Sequence, residues 1–173
     1  MQQLKNLEDI VASWPQISVH PHRFGGREFR FGNGEVGHVH NGCIVDIPFP
    51  HSVRDALLAE ALAEQHQWAP NSGWVTFRLR SEEDLRHAEW LIRLSYFRYA
   101  LKAAANPRKL FAEAVQELQL TPRFKSLLEQ FIPSMGKQDP VELITMPAAG
   151  WLACSSSRLR GSPLSFRSPT NFE

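Results

Sequence analysis

Two Asn-Gly dipeptides, Asn33-Gly34 and Asn41-Gly42, constrain this chain more than any other feature. They lie within HPHRFGGREFRFGNGEVGHVHNGCIVDIPFP, residues 20–50, which also hold four of the seven histidines. Asn-Gly accepts the positive φ angles of a two-residue hairpin loop, so each dipeptide predicts a hairpin and fixes its register. The first turn sets Phe31 opposite Val36, Arg30 opposite Gly37 and Phe29 opposite His38. The second sets His40 opposite Cys43, His38 opposite Val45 and Gly37 opposite Asp46. Cross-strand partners share a face. One face then carries Phe29, Phe31, Val36, His38, His40, Cys43, Val45 and Ile47 and meets the helices. The other carries Glu28, Arg30, Glu35, Gly37, Val39, Ile44 and Asp46 and stays open.

The flanking segments give the fold class. Leu4, Leu7, Ile10, Val11 and Trp14 form a helical stripe that Pro15 ends. Residues 17–22 are a short extended piece which Pro21 marks as an edge. Strands follow at about 27–32, 35–40 and 43–49. Ser52 is placed to cap a helix running to about 64, with Asp55 in its first turn. Strands at 65–69 and 74–80 flank the turn Pro70-Asn71-Ser72-Gly73, and Ser81 with Asp84 opens a helix to about 105. The order α-β-β-β-α-β-β-α with short connections implies an α+β two-layer sandwich with a mainly antiparallel sheet. The long helix has two apolar stripes: Leu85, Ala88, Ile92, Tyr96 and Tyr99, and Trp90, Leu94, Phe97 and Leu101. The first suits the sheet. The second suits amphipathic segments at 110–118 and 124–131, or else a weak homodimer. The predicted organisation is a core over 1–105, a helical extension over 106–132 and an irregular tail over 133–173, serine-rich from Trp151.

Composition narrows the classes. Of 173 residues, 43% are hydrophobic and 21% charged, as in globular proteins, and no apolar run approaches the ~20 residues of a membrane helix. The polar N-terminus does not read as a signal peptide, and a reduced, cytoplasmic protein is expected, a monomer or a weak homodimer through the long helix. A formal charge of +1 argues against gripping a phosphate backbone. Cys43 and Cys154 make no metal-type pair.

Chemistry concentrates in two places. On the open face, Gly37 forms a floor between Arg30 and Asp46, with Trp74, Thr76 and Arg78 nearby. This could hold a small polar ligand or a peptide; the competing reading is a solvated Arg–Asp pair of little energetic value. On the helix-facing side, His38, His40 and Cys43 are of the right chemical type for zinc, with a fourth ligand from His20, His22, His51 or His66. The spacing lacks a zinc signature, and the simpler expectation is hydrogen-bonded imidazoles at the core edge without a metal. Gly25-Gly26 is a bend and not a phosphate loop, because no strand–GxxxxGK–helix order surrounds it. Ser72 is a turn residue and not a nucleophile, because the G-x-S-x-G pattern is absent.

The segments RFGGREFRFG, EVGHVHNG, VDIPFP, PNSGWVTF and LIRLSYFRYALK together resemble the luciferase-domain proteins, over about 14–102. The Ser-Gly-Trp strand followed by a helix ending in Ser95-Tyr96 also resembles double-wing, secretion-chaperone-like α+β proteins, some of which would suggest nucleic-acid binding. The resemblance places Arg23, Gly25, Gly26, Gly37, His38, His40, Asp46, His66, Ser72, Gly73 and Trp74 in family motifs. Glycines and Trp74 are explained by folding; His38, His40, Asp46 and His66 are the candidates for catalysis. The family name suggests an oxidative enzyme using a His/Asp motif. The residues themselves name no cofactor and favour a module that binds a small molecule or peptide on the open face. Under the predicted register, His38 and Asp46 lie on opposite faces and cannot act together.

Overall fold

The N-terminal apolar stripe forms helix α1 (Gln2–Ala12), which buries Leu7 and Val11. The computed structural model describes residues 2–134; the serine-rich stretch from Trp151, with Cys154 and nearly all of the predicted tail, lies outside the described residues. Four strands follow: β1 (Ile17–Pro21), β2 (Arg27–Phe31), β3 (Gly34–His40) and β4 (Ile44–Pro48). The predicted edge piece is thus a full strand, paired with β2 from Ile17–Phe31 to Pro21–Arg27. After α2 (His51–Ala59) come β5 (Glu64–Gln65) and β6 (Trp74–Arg78), then α3 (Glu82–Ala103), α4 (Pro107–Glu117) and α5 (Pro122–Glu129). All six strands form one antiparallel sheet in the order β1-β2-β3-β4-β6-β5. The architecture is an α+β sandwich.

Its core lies between the sheet face bearing Phe29, Val39, Val45, Ile47 and Val75 and the apolar faces of α1 and α3, and all five side chains are buried. Helix α3 opens with a capping box: Ser81 accepts from the Asp84 backbone N–H while the Asp84 carboxylate accepts from the Ser81 backbone N–H. Its second stripe is covered by α4 and α5. The Trp90 indole N–H donates to the Leu118 carbonyl at 2.9 Å, and its ring stands edge-on to Phe124. Helix α2 departs from the predicted cap. Pro50 is its N-cap, its carbonyl accepting from the N–H groups of Val53 and Arg54, so Ser52 lies inside the helix. The helix also stops early, because Ala61 turns left-handed at φ +53° and Leu62 N–H closes back on the Leu57 carbonyl. The strand expected over 65–69 shrinks to Glu64–Gln65.

The predicted register is overturned at both turns. In the first hairpin Phe31 pairs with Gly34, so Gly32-Asn33 forms the loop. Gly32 takes φ +57° at the first loop position, where a type II′ turn places its glycine. Between the pairs Arg30–Glu35 and Phe29–Gly37, Val36 is an extra residue on β3, a β-bulge. In the second hairpin His40 pairs with Ile44, leaving a three-residue loop that ends on Cys43 at φ +59°. The physical reason is burial. Strict alternation would put Val36 inside and Val39 outside, whereas the bulge buries both. From Gly37 onward β3 is therefore inverted. His38 and His40 face away from the helices, and Gly37, predicted as the floor of the open face, turns inward, where a Cβ would lie 3.4 Å from Ile47 Cγ1.

The tight bend before β2 gives a stability test. An alanine Cβ at Gly26 would sit 1.9 Å from the Val39 carbonyl oxygen, at φ +91°. At Gly32, with φ +57°, nothing lies within 4 Å. Gly26→Ala is expected to cost roughly 2 kcal/mol or more, lowering the melting temperature by several degrees, whereas Gly32→Asn should stay within about 1 kcal/mol. Thermal melts that fail to separate the two variants would show that the bend relaxes freely.

Candidate functional site

Asp46 is the centre of the open face. It pairs in register with His38 on β3 and Thr76 on β6, so all three side chains point the same way. Its carboxylate is 1% exposed. Thr76 donates its hydroxyl to Oδ1. Around Oδ2 stand three imidazole Nε2 atoms: His40 at 3.1 Å, His38 at 3.5 Å and His66 at 3.7 Å. His38 and Asp46, predicted on opposite faces, thus form a pair.

Two of the three imidazoles, His38 and His66, are held by further partners. His38 lies between two carboxylates, with Nδ1 on Glu35 and Nε2 towards Asp46. Burial opposes its charge, but the bonds to Asp46 and Glu35 outweigh burial and raise its pKa to about 9. For Asp46, burial works against ionisation, yet the bonds from His38 and Thr76 and the nearby His66 hold its carboxyl below the ordinary range. His66 Nδ1 accepts the backbone N–H groups of Trp68 and Ala69, which leaves the ring proton on Nε2, facing Asp46. His22, on the bend after β1, stacks on His38 with ring centres 3.9 Å apart. Burial and the neighbouring His38 and His40 lower its pKa, and its Nδ1 is buried without a hydrogen-bond partner.

Above this floor opens a cleft of about 700 Å³, walled by Ile44, Ala69 and Trp74 and rimmed by Arg23, Phe24 and Trp68. Phe24 and Trp68 are 71% and 73% exposed. The arrangement can seat an organic molecule with apolar surface against the rings while presenting it to a carboxylate and imidazoles.

Of the predicted site residues, His38, His40, Asp46, His66 and Trp74 come together in this cleft. Arg30 instead bonds Glu28 on β2, Arg78 bonds Glu64 at 3.1 Å, and neither lines the cleft; Gly37 faces the core. The trio His38, His40 and Cys43 is not assembled, because Cys43 ends the hairpin loop and packs towards the core. His20 bonds Ser18, and His51 begins α2. Among the described residues, those that could hold a metal are His22, His38 and His40, whose donor atoms lie within 4.8 Å of one another. Sequence reasoning missed Glu35 as the partner of His38 and Phe24 and Trp68 as the rim; a histidine three residues from Glu35 across a bulge carries no readable signal.

Residues 33–95 match the family model described as Luciferase domain. This stretch resembles a luciferase domain. The matched stretch runs from the first hairpin turn into α3 and contains His38, His40, Asp46, His66 and Trp74, while His22, Arg23 and Phe24 precede it. No curated protein and no solved structure matches the chain. Among the described residues, no helix is long and apolar enough to cross a membrane.

The charged His38 has a sign-determined consequence for stability. Its folded pKa of about 9 exceeds the ordinary 6.5. The stabilisation is therefore complete below pH 6.5 and lost as pH rises through about 9. In protein stripped of metal with a chelator, urea unfolding should show stability falling over that window by up to about 3 kcal/mol, counted once for the His38–Asp46 pair. Glu35→Gln should flatten the fall. A wild-type profile that is already flat from pH 6.5 to 9.5 would contradict the buried ion pair.

Proposed function

We propose that this protein is an enzyme that binds a small organic molecule in the open-face cleft and transfers protons to or from it above Asp46. The observation that carries this reading is the nearly solvent-free Asp46 carboxylate with three imidazole nitrogens converging on one oxygen, at the floor of an apolar-walled cleft. Burying a carboxylate costs several kcal/mol even when paired, and a well-packed apolar side chain would serve the sheet as well or better. A polar cluster with that cost, opening on a cleft, suits chemistry more than folding. A carboxylate that orients imidazole rings is the arrangement of general acid–base catalysis. Trp74 and the rim aromatics supply binding area.

A non-catalytic binding module is the second reading, favoured by the exposure of Phe24 and Trp68, which could grip a peptide. Nucleic-acid binding has little support from a chain of formal charge +1.

A thermal-shift screen of small organic compounds and flavins, followed by turnover assays on the hits, separates these readings. Trp74→Ala should lose the shifts. Asp46→Asn should keep most of the binding but lose turnover by roughly 100-fold or more. Peptides that bind wild type without any small compound doing so would replace the enzyme with the module.

A further inference from the structure

We infer that His22, His38 and His40, with Asp46 beside them, form a binding site for a first-row divalent metal ion. The inference rests on the reading of the cleft as a reaction site, because an ion held there would stand on its floor and act on a bound molecule as a Lewis acid.

Four observations support it. The donor atoms of the three histidines lie within 4.8 Å of one another, and Asp46 Oδ2 is 3.1 Å from His40 Nε2 and 3.5 Å from His38 Nε2, which offers a fourth donor. The second nitrogen of His38 is held by the Glu35 carboxylate, as metal-binding imidazoles usually are; such a partner fixes the ring and strengthens it as a ligand. The free oxygen of Asp46 is likewise fixed, by the Thr76 hydroxyl. Finally, the buried His22 Nδ1 has no partner, a deficit that a metal ion would remove.

The donor set also sets the class of ion. Three imidazoles and a carboxylate, with Cys43 turned elsewhere and His66 Nδ1 engaged by backbone N–H groups, suit Zn²⁺, Co²⁺, Fe²⁺ or Mn²⁺ and not a soft cation. The ring planes of His38 and His40 stand at 85° and those of His22 and His40 at 76°, so in both pairs the donors can approach one ion from different directions. His22 and His38 are nearly parallel at 14°, so His22 must swing out of its stack to coordinate. It sits on a short bend with glycine at Gly25 and Gly26, both at positive φ, and its ring is not locked by a hydrogen bond at Nδ1. The sequence led to the expectation of histidines at the edge of the core without a metal; the structure places them on the open face instead, and the proposed site departs from that expectation.

The test is a titration of Co²⁺ into untagged, chelator-treated protein, read by visible d–d absorption, with Zn²⁺ as competitor. One equivalent of Co²⁺ should bind, and Zn²⁺ should displace it. His22→Ala, half-buried on a bend whose next three residues are exposed, should abolish the bands, as should His38→Ala, each with native circular dichroism. Glu35→Gln should weaken binding roughly 10–100-fold, whereas His20→Ala and His51→Ala should leave it unchanged. Absence of the bands in wild type, or equal affinity in His22→Ala, overturns the site. If Co²⁺ fails to bind while compound shifts still depend on Trp74, the metal alone is lost. If Co²⁺ binds through the three histidines while no compound shifts the protein, the metal site stands and the small-molecule reading falls.

Discussion

Val36 is the residue by which β3 exceeds its partner β2, and the cleft depends on that one extra residue. A bulge reverses the alternation of everything beyond it. Val36 and Val39 both enter the core, Gly37 turns inward against Ile47, and His38 and His40 are delivered to the outer face opposite Asp46. Without the bulge, two imidazoles would have to be buried under the helices and Val39 would face solvent. Val36 is buried in either register, so what selects the bulged one is the burial of Val39, worth roughly 1.5–3 kcal/mol, together with the release of two imidazoles from the core.

The same bulge is fastened from the helix side. Tyr99 of α3 lies flat against Gly34, where even a methyl group would come within 2.4 Å of its ring, and its hydroxyl donates to the Glu35 carbonyl at 2.9 Å. Arg98 donates in turn to the Tyr99 oxygen at 3.0 Å. Glu35 reaches through the first turn of β3 to His38, so the carboxylate that keeps His38 charged is anchored through its own backbone to the long helix. The helical layer therefore positions a group on the far side of the sheet. Few interactions in the fold connect packing to the site as directly.

The outer face also shows how a buried charge is made tolerable. Asp46 is deprived of water but receives a hydroxyl and an imidazole hydrogen bond and faces two further ring nitrogens, those of His38 and His66, whose other nitrogens are held by Glu35 and by backbone N–H groups. A network satisfied at nearly every atom can persist in low dielectric, whereas a half-satisfied one could not. The exception is His22, whose unpartnered Nδ1 is the loose end of the cluster.

The sequence by itself determined the elements and the class of fold: the Asn-Gly hairpins, the Ser81–Asp84 capping box and the two stripes of α3 are local signals, because turn chemistry, capping and helical period act over a few residues. It also singled out His38, His40, Asp46 and His66 as hard to explain by packing, and Trp74 as a wall of the open face. Tertiary structure decided which of them meet. Gly32, Asn33 and Gly34 offer more than one two-residue loop, and the second loop takes a third residue because Cys43 accepts a left-handed conformation. Register has a period of two, so a single slip exchanges the faces of a strand. That choice is made by the burial of Val39 beside Val36 against helices distant in the chain, with His38 and His40 kept out, a free energy that no local pattern expresses.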